Sequence, residues 1–179
     1  MNTFVARGTD YWQGGLELDP LRHGKQLVEV QQIHMALTSG GPAHILHHPA
    51  TQMWLGHEQA LLFYGLLTYD TYQAKYNRQH KSGEYIMRFR EPVIVPAPDW
   101  VSDMAPHHRA KLWHKDKEHY ARYYEPDLEN ESIYPVTKNG ATCGWVRRHD
   151  KHWYLDALDS QGPRFKSAWD AIQYVRQFT

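Results

Sequence analysis

The segment from Leu18 to Ile33 constrains the fold more than any other stretch of this sequence. Asp19 followed by Pro20 predicts the start of a helix, because aspartate caps free N–H groups and proline suits the first helical position. The next proline is Pro42, directly after a pair of glycines that favours a helix end. Helical periodicity then places five polar side chains on one face. These are Arg22, Lys25, Gln26, Glu29 and Gln32.

This polar face has two interpretations. A solvated helix surface is the simpler one, because i,i+4 pairs such as Lys25 and Glu29 are common and stabilise a helix by only about 0.2–0.5 kcal/mol. A binding or catalytic face is the other, because two cations, two amides and a single carboxylate share one stripe.

The chain has 179 residues, a length that predicts one core with a small appendage. Its formal net charge is zero, so the global charge does not indicate a nucleic acid partner. The only cysteine excludes an internal disulfide, and no apolar run approaches 18 residues. We therefore expect a soluble, cytoplasmic protein. Residues 106–124 nevertheless carry five basic residues against two acidic ones, and residues 125–131 carry four acidic ones.

Four further predictions concern the helical part of the chain. Residues 1–17 show no clear period, and a long helix is expected from Pro49 to about Tyr76. Residues 77–105 are typical of a long connection, and a third helix is expected to begin at Pro106.

The end of the chain has a different character. Residues 125–131 with the following Tyr134-Pro135 are typical of a linker, and two short strands are expected at 142–148 and 152–157. Ser167 then favours the start of a closing helix. This pattern predicts a β-β-α appendage that binds DNA, caps the main domain or forms a dimer contact.

Three blocks of sequence, in order, resemble the pyrimidine-dimer DNA glycosylase (phage endonuclease V) family, and most closely its bacterial and phage branch. The first block has Leu18-Asp19, Arg22, Gly24-Lys25-Gln26 and Val28-Glu29, where the family carries L-D-x-x-R-L-G-K-Q-R-V-E. The second block runs from His48 to Glu58, and the third combines His108–Leu112, Lys115-Asp116 and His119-Tyr120. The resemblance covers about residues 1–125.

The resemblance implies a catalytic set. Glu29 matches a carboxylate that stabilises the cationic sugar and moves protons, and Arg22 matches a base or phosphate contact. The family's nucleophile is the α-amine of a terminal threonine, which corresponds to Thr3 here. Because methionine is normally removed only before a small residue, Asn2 predicts that Met1 stays and that the amine is displaced from Thr3 by two positions.

The resemblance also implies a DNA interface. Lys111 and Lys115 match positions that hold phosphates beside the lesion. Independently of the resemblance, His57 is either a phosphate or catalytic-site group or a structural histidine. The residues expected to contact DNA are Arg22, Lys25, Gln26, His57, Arg109, Lys111 and Lys115.

We therefore predict a mainly α protein, with an endonuclease V-like helical domain at 1–130 and a small α+β appendage at 136–179. The function expected is a DNA glycosylase, with or without AP-lyase activity, acting on damaged or modified pyrimidines in duplex DNA of a bacterial cell or phage-infected host. A non-catalytic DNA- or nucleotide-binding protein is the alternative. No cofactor and no metal are expected, because the histidines fit no common zinc spacing, and a metal-dependent nuclease would rest on histidine count alone.

Overall fold

The computed structural model describes residues 2–90, 95–125, 132–149, 151–155 and 163–178. These residues form nine helices and three strands, which confirms the mainly α class with a small C-terminal sheet. The helices are α1 (Tyr11–Glu17), α2 (Pro20–Ser39), α3 (Ala43–Leu46), α4 (Pro49–Gln52), α5 (Glu58–Tyr76), α6 (Lys81–Met87), α7 (Val101–Lys115), α8 (Lys117–Tyr120) and α9 (Ala168–Phe178). The strands are β1 (Ser132–Lys138), β2 (Ala141–His149) and β3 (His152–Leu155).

Helix α2 has the ends predicted from the sequence. The Asp19 side chain accepts a hydrogen bond from the Arg22 backbone N–H at 3.0 Å, and Pro20 is the first helical residue. The helix ends at Ser39, and Gly40 follows with a φ of 78°, a conformation that glycine adopts without strain. The predicted stripe of polar residues is therefore one face of a regular 20-residue helix.

The main core includes the interface between α2 and α5 and extends to α7, the sheet and α9. Leu27, Val30 and Leu61 are fully buried there. The two helices approach closely because α5 has a glycine at the crossing: a Cβ on Gly65 would lie 2.7 Å from Cγ1 of Val30. This packing fixes the position of α2 and therefore of its polar face.

Two helix predictions were wrong. The long helix expected from Pro49 is interrupted after α4, where Gly56 has a φ of 82°, and α5 begins only at Glu58. The third helix begins at Val101 and contains Pro106 within it. The carbonyl that Pro106 leaves without an N–H donor belongs to Ser102, which is exposed and can bind water instead.

Two segments expected to be irregular contain helices. Residues 1–17 include α1, which Asp10 caps by accepting the Gln13 backbone N–H at 3.0 Å. The connection 77–105 includes α6 and the first turn of α7. Short helices of this kind, about seven residues in α1 and α6, carry too little periodicity to be recognised from sequence.

The C-terminal sheet has three antiparallel strands in the order β1-β2-β3. The two predicted strands correspond to β2 and β3, whereas Tyr134-Pro135 lies in β1 and not in a linker. Pro135 is accommodated because β1 is an edge strand of this sheet. The predicted cap is confirmed, since the Asp170 backbone N–H donates to the Ser167 hydroxyl at 3.1 Å.

The sheet and α9 pack against the helices. The Thr137 hydroxyl lies 3.0 Å from the carbonyl oxygens of both Gln52 and Leu55, and Arg176 Nη1 donates to Gln52 Oε1 at 2.7 Å. Residues 126–131 of the predicted linker lie outside the described residues. The division into units at 1–130 and 136–179 stays a prediction.

Candidate active site

A pocket of about 250 Å³ opens beside the N-terminal half of α2. It lies between that helix, the first residues of the chain and the end of α7. Its lining residues are Asn2, Phe4, Leu21, Arg22, Lys25, Gln26, Glu29 and Lys115. Five of the predicted site residues therefore meet here, and they combine three cations with one carboxylate.

Glu29 is the carboxylate of this pocket and is only 4% exposed. Its Oε2 accepts a hydrogen bond from the Asn2 backbone N–H, and its Oε1 lies 3.8 Å from Lys25 Nζ. Burial raises the pKa of Glu29 above its ordinary value, while the Asn2 hydrogen bond and the charges of Lys25 and Lys115 oppose this rise. A carboxyl with a raised pKa is a stronger base once ionised, which suits a proton-transfer role.

Gln26 holds the first residues of the chain against α2. Its Oε1 accepts the Phe4 backbone N–H at 2.8 Å, and its Nε2 donates to the Asn2 carbonyl at 3.0 Å. The Tyr64 hydroxyl from α5 lies 2.9 Å from the same Oε1 and 3.2 Å from the Phe4 carbonyl. Gln26 and Tyr64, which we call the clamp, thereby place the Asn2 nitrogen at Glu29.

Further contacts fix the residues beside the clamp. Thr3 is fully buried, and its hydroxyl accepts the Trp54 indole N–H at 2.8 Å. The Val5 backbone N–H donates to His108 Nδ1 at 3.0 Å. The side chain of Thr3 therefore faces the core, and the backbone nitrogen brought to Glu29 belongs to Asn2.

The three cations of the pocket differ in how many protein contacts hold their side chains. Arg22 Nη1 lies 2.8 Å from Asp19 Oδ2, and Arg22 Nη2 donates to the Lys115 carbonyl at 3.2 Å. Arg22 thus joins α2 to the end of α7. The Lys25 side chain is 65% exposed, and Lys115 is also exposed. Both ammonium groups are open to an anionic ligand at the rim, although Lys25 also lies 3.8 Å from Glu29 Oε1.

Lys111 lies one turn before Lys115 on α7 but is only 5% exposed. Its Nζ is 4.5 Å from the ring centroid of Tyr134 and has no hydrogen-bond partner in the described part of the chain. Burial, with a smaller effect of the Lys115 charge, lowers the pKa of Lys111 to about 8. A phosphate contact by Lys111 would require its side chain to be uncovered.

The two other predicted DNA contacts do not line the pocket. Arg109 Nη1 donates to the Ala6 carbonyl at 3.0 Å and so helps to hold the start of the chain. His57 precedes α5, and burial lowers its pKa below the ordinary value. Their roles in DNA binding stay predictions.

Sequence reasoning missed Asn2, Phe4, Leu21 and Tyr64. Leu21 is exposed and directly follows the helix start, so its proximity to the polar stripe was readable from the helix period. Asn2 and Tyr64 gave no such signal, because they reach Gln26 and Glu29 from other segments of the chain.

Within the described ranges, no three His, Cys, Asp or Glu side chains come together as metal ligands would. Over the same residues, no helix has the length and apolar character needed to cross a membrane.

A basic pocket with a buried carboxylate at its base is an arrangement that binds an anionic substrate and moves protons within it. Residues 12–82 match the family model described as pyrimidine dimer DNA glycosylase. This match confirms the family resemblance and includes Arg22, Lys25, Gln26 and Glu29. Comparison with curated proteins and with solved structures gave no match. The residues of α7 and the C-terminal sheet lie outside the matched range.

Proposed function

We propose that this protein is a DNA glycosylase that releases a damaged or modified pyrimidine from duplex DNA. The observation that carries the proposal is the position of Glu29, buried at the base of a pocket whose rim carries Lys25 and Lys115. The rim cations suit the phosphates on either side of a target nucleotide, and the carboxylate suits its sugar. The family match supports the same reaction class.

The simplest chemistry uses water. As the bond between C1′ and the base nitrogen breaks, the base leaves with the electron pair and the sugar gains positive character. The Glu29 carboxylate stabilises that charge and accepts a proton from the water that adds to C1′. The proton then passes to the departing base, so that the products are an abasic sugar and a base with no bond to that sugar; in a dimer this base stays bonded to the neighbouring base.

A second route would use an amine in place of water and would add AP-lyase activity. The observation that favours this route is the Asn2 main-chain nitrogen at the Glu29 carboxylate. In the intact chain this nitrogen is an amide, and it becomes a nucleophilic amine only where Met1 is removed. The geometry therefore favours Asn2 over Thr3 as the source of such an amine.

A non-catalytic DNA- or nucleotide-binding protein is the second candidate function. It is favoured by the fact that the Asn2 backbone N–H already takes one acceptor site of Glu29 Oε2, which leaves fewer sites for a catalytic water.

The test is incubation of the purified protein with labelled duplexes that contain a thymine dimer, 5-hydroxymethyluracil, uracil, an abasic site or no damage. Products are analysed with and without alkali, and adducts are trapped with borohydride and mapped by peptide mass spectrometry. Base release from one duplex without an adduct supports the water route, and an adduct on Asn2 supports the amine route. Salt-sensitive binding with no base release from any duplex would favour the binding protein.

A further inference from the structure

The C-terminal sheet has an unusual charge pattern. Over residues 132–155 the sequence carries one acidic residue, Asp150. The same residues include four basic ones, which are Lys138, Arg147, Arg148 and Lys151. Four basic residues against one acidic residue give this segment a net charge of +3, which suits a polyanion such as a nucleic acid backbone.

The strand register places one of these cations on the same face of the sheet as two aromatic residues. Arg148 pairs with Trp153 across β2 and β3, and Tyr134 pairs with Val146, two residues before Arg148. Side chains at paired and diagonal positions lie on one face of a sheet. The rings of Tyr134 and Trp153 are 6.1 Å apart, which agrees with this arrangement. Tyr134, Arg148 and Trp153 therefore share one face, which we call the Arg148 face.

The Arg148 face is joined to the candidate active site through Tyr134. The Lys111 ammonium lies 4.5 Å from the Tyr134 ring centroid, and the next turn of α7 carries Lys115 into the pocket. Burial raises the pKa of Tyr134 to about 12, with the negative charge of Glu29 adding to the rise and the positive charge of Arg148 opposing it. Glu29 and Arg148 are thus both within electrostatic reach of one ring.

Arg148 itself is available to a ligand. It is exposed, and its guanidinium group makes no hydrogen bond or ion pair with the residues that the structure describes. A guanidinium group of this kind is well suited to a phosphate diester, with which it forms two parallel hydrogen bonds.

We propose that the C-terminal sheet forms part of the DNA interface and that Arg148 contacts a backbone phosphate of the duplex held at the pocket. The proposal rests on duplex DNA being the ligand in the proposed function, but it does not require base release. In this arrangement Lys25 and Lys115 meet the duplex at the pocket, and Arg148 extends the contact beyond it.

The test is the salt dependence of binding to an undamaged labelled duplex, measured by fluorescence anisotropy on the full chain. Each lost phosphate contact lowers the slope of log K against log salt by about 0.9. We expect Arg148→Ala to show this decrease and to weaken binding on the order of fivefold to tenfold at 0.1 M salt. Arg148→Lys should retain the wild-type slope, because it keeps the charge.

Arg78→Ala is the matched control. Arg78 is an exposed arginine in the loop between α5 and α6. This loop lies on the side of α2 turned away from Glu29. The reason is that His80, in the same loop, lies 3.6 Å from the position of a Cβ on Gly24, and Gly24 is on that side of the helix. We expect the wild-type slope for this variant, and an unchanged melting temperature for both alanine variants.

The outcomes separate this proposal from the proposed function. An unchanged slope for Arg148→Ala, or an equal decrease for Arg78→Ala, overturns the role of the sheet even if the protein releases a base. A decrease specific to Arg148→Ala supports that role even if no base is released. Absence of duplex binding by the wild type overturns both proposals.

Discussion

Replacement of Gln26 by alanine should show whether the clamp holds the start of the chain at Glu29. The Gln26 side chain makes three hydrogen bonds, to the Phe4 N–H, the Asn2 carbonyl and the Tyr64 hydroxyl. After truncation the Tyr64 hydroxyl still has the Phe4 carbonyl at 3.2 Å, but the buried Phe4 N–H loses its acceptor. The Asn2 carbonyl, which is partly buried, loses its donor.

The size of the effect follows from these losses. An unsatisfied buried donor costs about 1–3 kcal/mol, and the lost Asn2 hydrogen bond adds about 0.5–1.5 kcal/mol. We therefore expect Gln26→Ala to lower the free energy of unfolding by about 2–4 kcal/mol. For a chain of this size the melting temperature should fall by roughly 5–15 °C, and base release should fall because the Asn2 N–H no longer orients the Glu29 carboxylate.

Thermal and urea denaturation measure this change, and Gln32→Ala is the control because Gln32 is exposed on the same helix. The control should remain within about 0.5 kcal/mol of the wild type. A similarly small change for Gln26→Ala would refute the clamp. Weaker DNA binding at unchanged stability would instead favour the direct DNA contact predicted for Gln26 from sequence.

Three other predictions concern stability. The pKa of Lys111 is about 8 in the folded chain against an ordinary value of 10.5. Between these two pH values the unfolded chain binds more protons, so the free energy of unfolding should rise with pH. Urea titrations at several pH values should show this rise for the wild type and not for Lys111→Met. Because the pKa of Glu29 is raised in the folded chain, the folded chain binds more protons than the unfolded chain at pH values just above the ordinary carboxyl range. The free energy of unfolding should therefore fall as pH rises through that range, and Glu29→Gln should remove this fall. Gly83→Ala should destabilise by about 1–3 kcal/mol because its Cβ would overlap the Tyr69 ring, whereas Gly14→Ala, with its nearest neighbour at 3.8 Å, should not.

The parts of the fold that sequence predicted well depend on local chemistry. Asp19 and Pro20 define a helix start by themselves, and the helix period then places Arg22 and Glu29 on one face. Ser167 defines the start of α9 in the same way. In each case the residues that determine the structure are within a few positions of one another.

The parts that sequence missed depend on distant partners. Tyr134-Pro135 is typical of a linker, but it lies in β1, an edge strand in which proline is tolerated. Pro106 favours a helix start, although the helix begins earlier, at Val101. For Gln26, the helical period of the sequence showed only that its side chain shares a face of α2 with Glu29. Its actual partners are Tyr64, 38 residues away, and the main chain of Asn2 and Phe4. A single sequence contains no local signal for such contacts.

The central claim is that Glu29 assists cleavage of the bond between base and sugar. The most direct measurement is single-turnover base release by Glu29→Gln and by Glu84→Gln, an exposed glutamate in α6, on whichever duplex the wild type cleaves. Glutamine keeps the size of the side chain and an oxygen that can accept the Asn2 N–H, but it carries no charge and cannot accept the proton. We expect Glu29→Gln to reduce the rate by at least about 100-fold and Glu84→Gln to leave it unchanged. An unchanged rate for Glu29→Gln would contradict the account and make Glu29 a structural residue of α2.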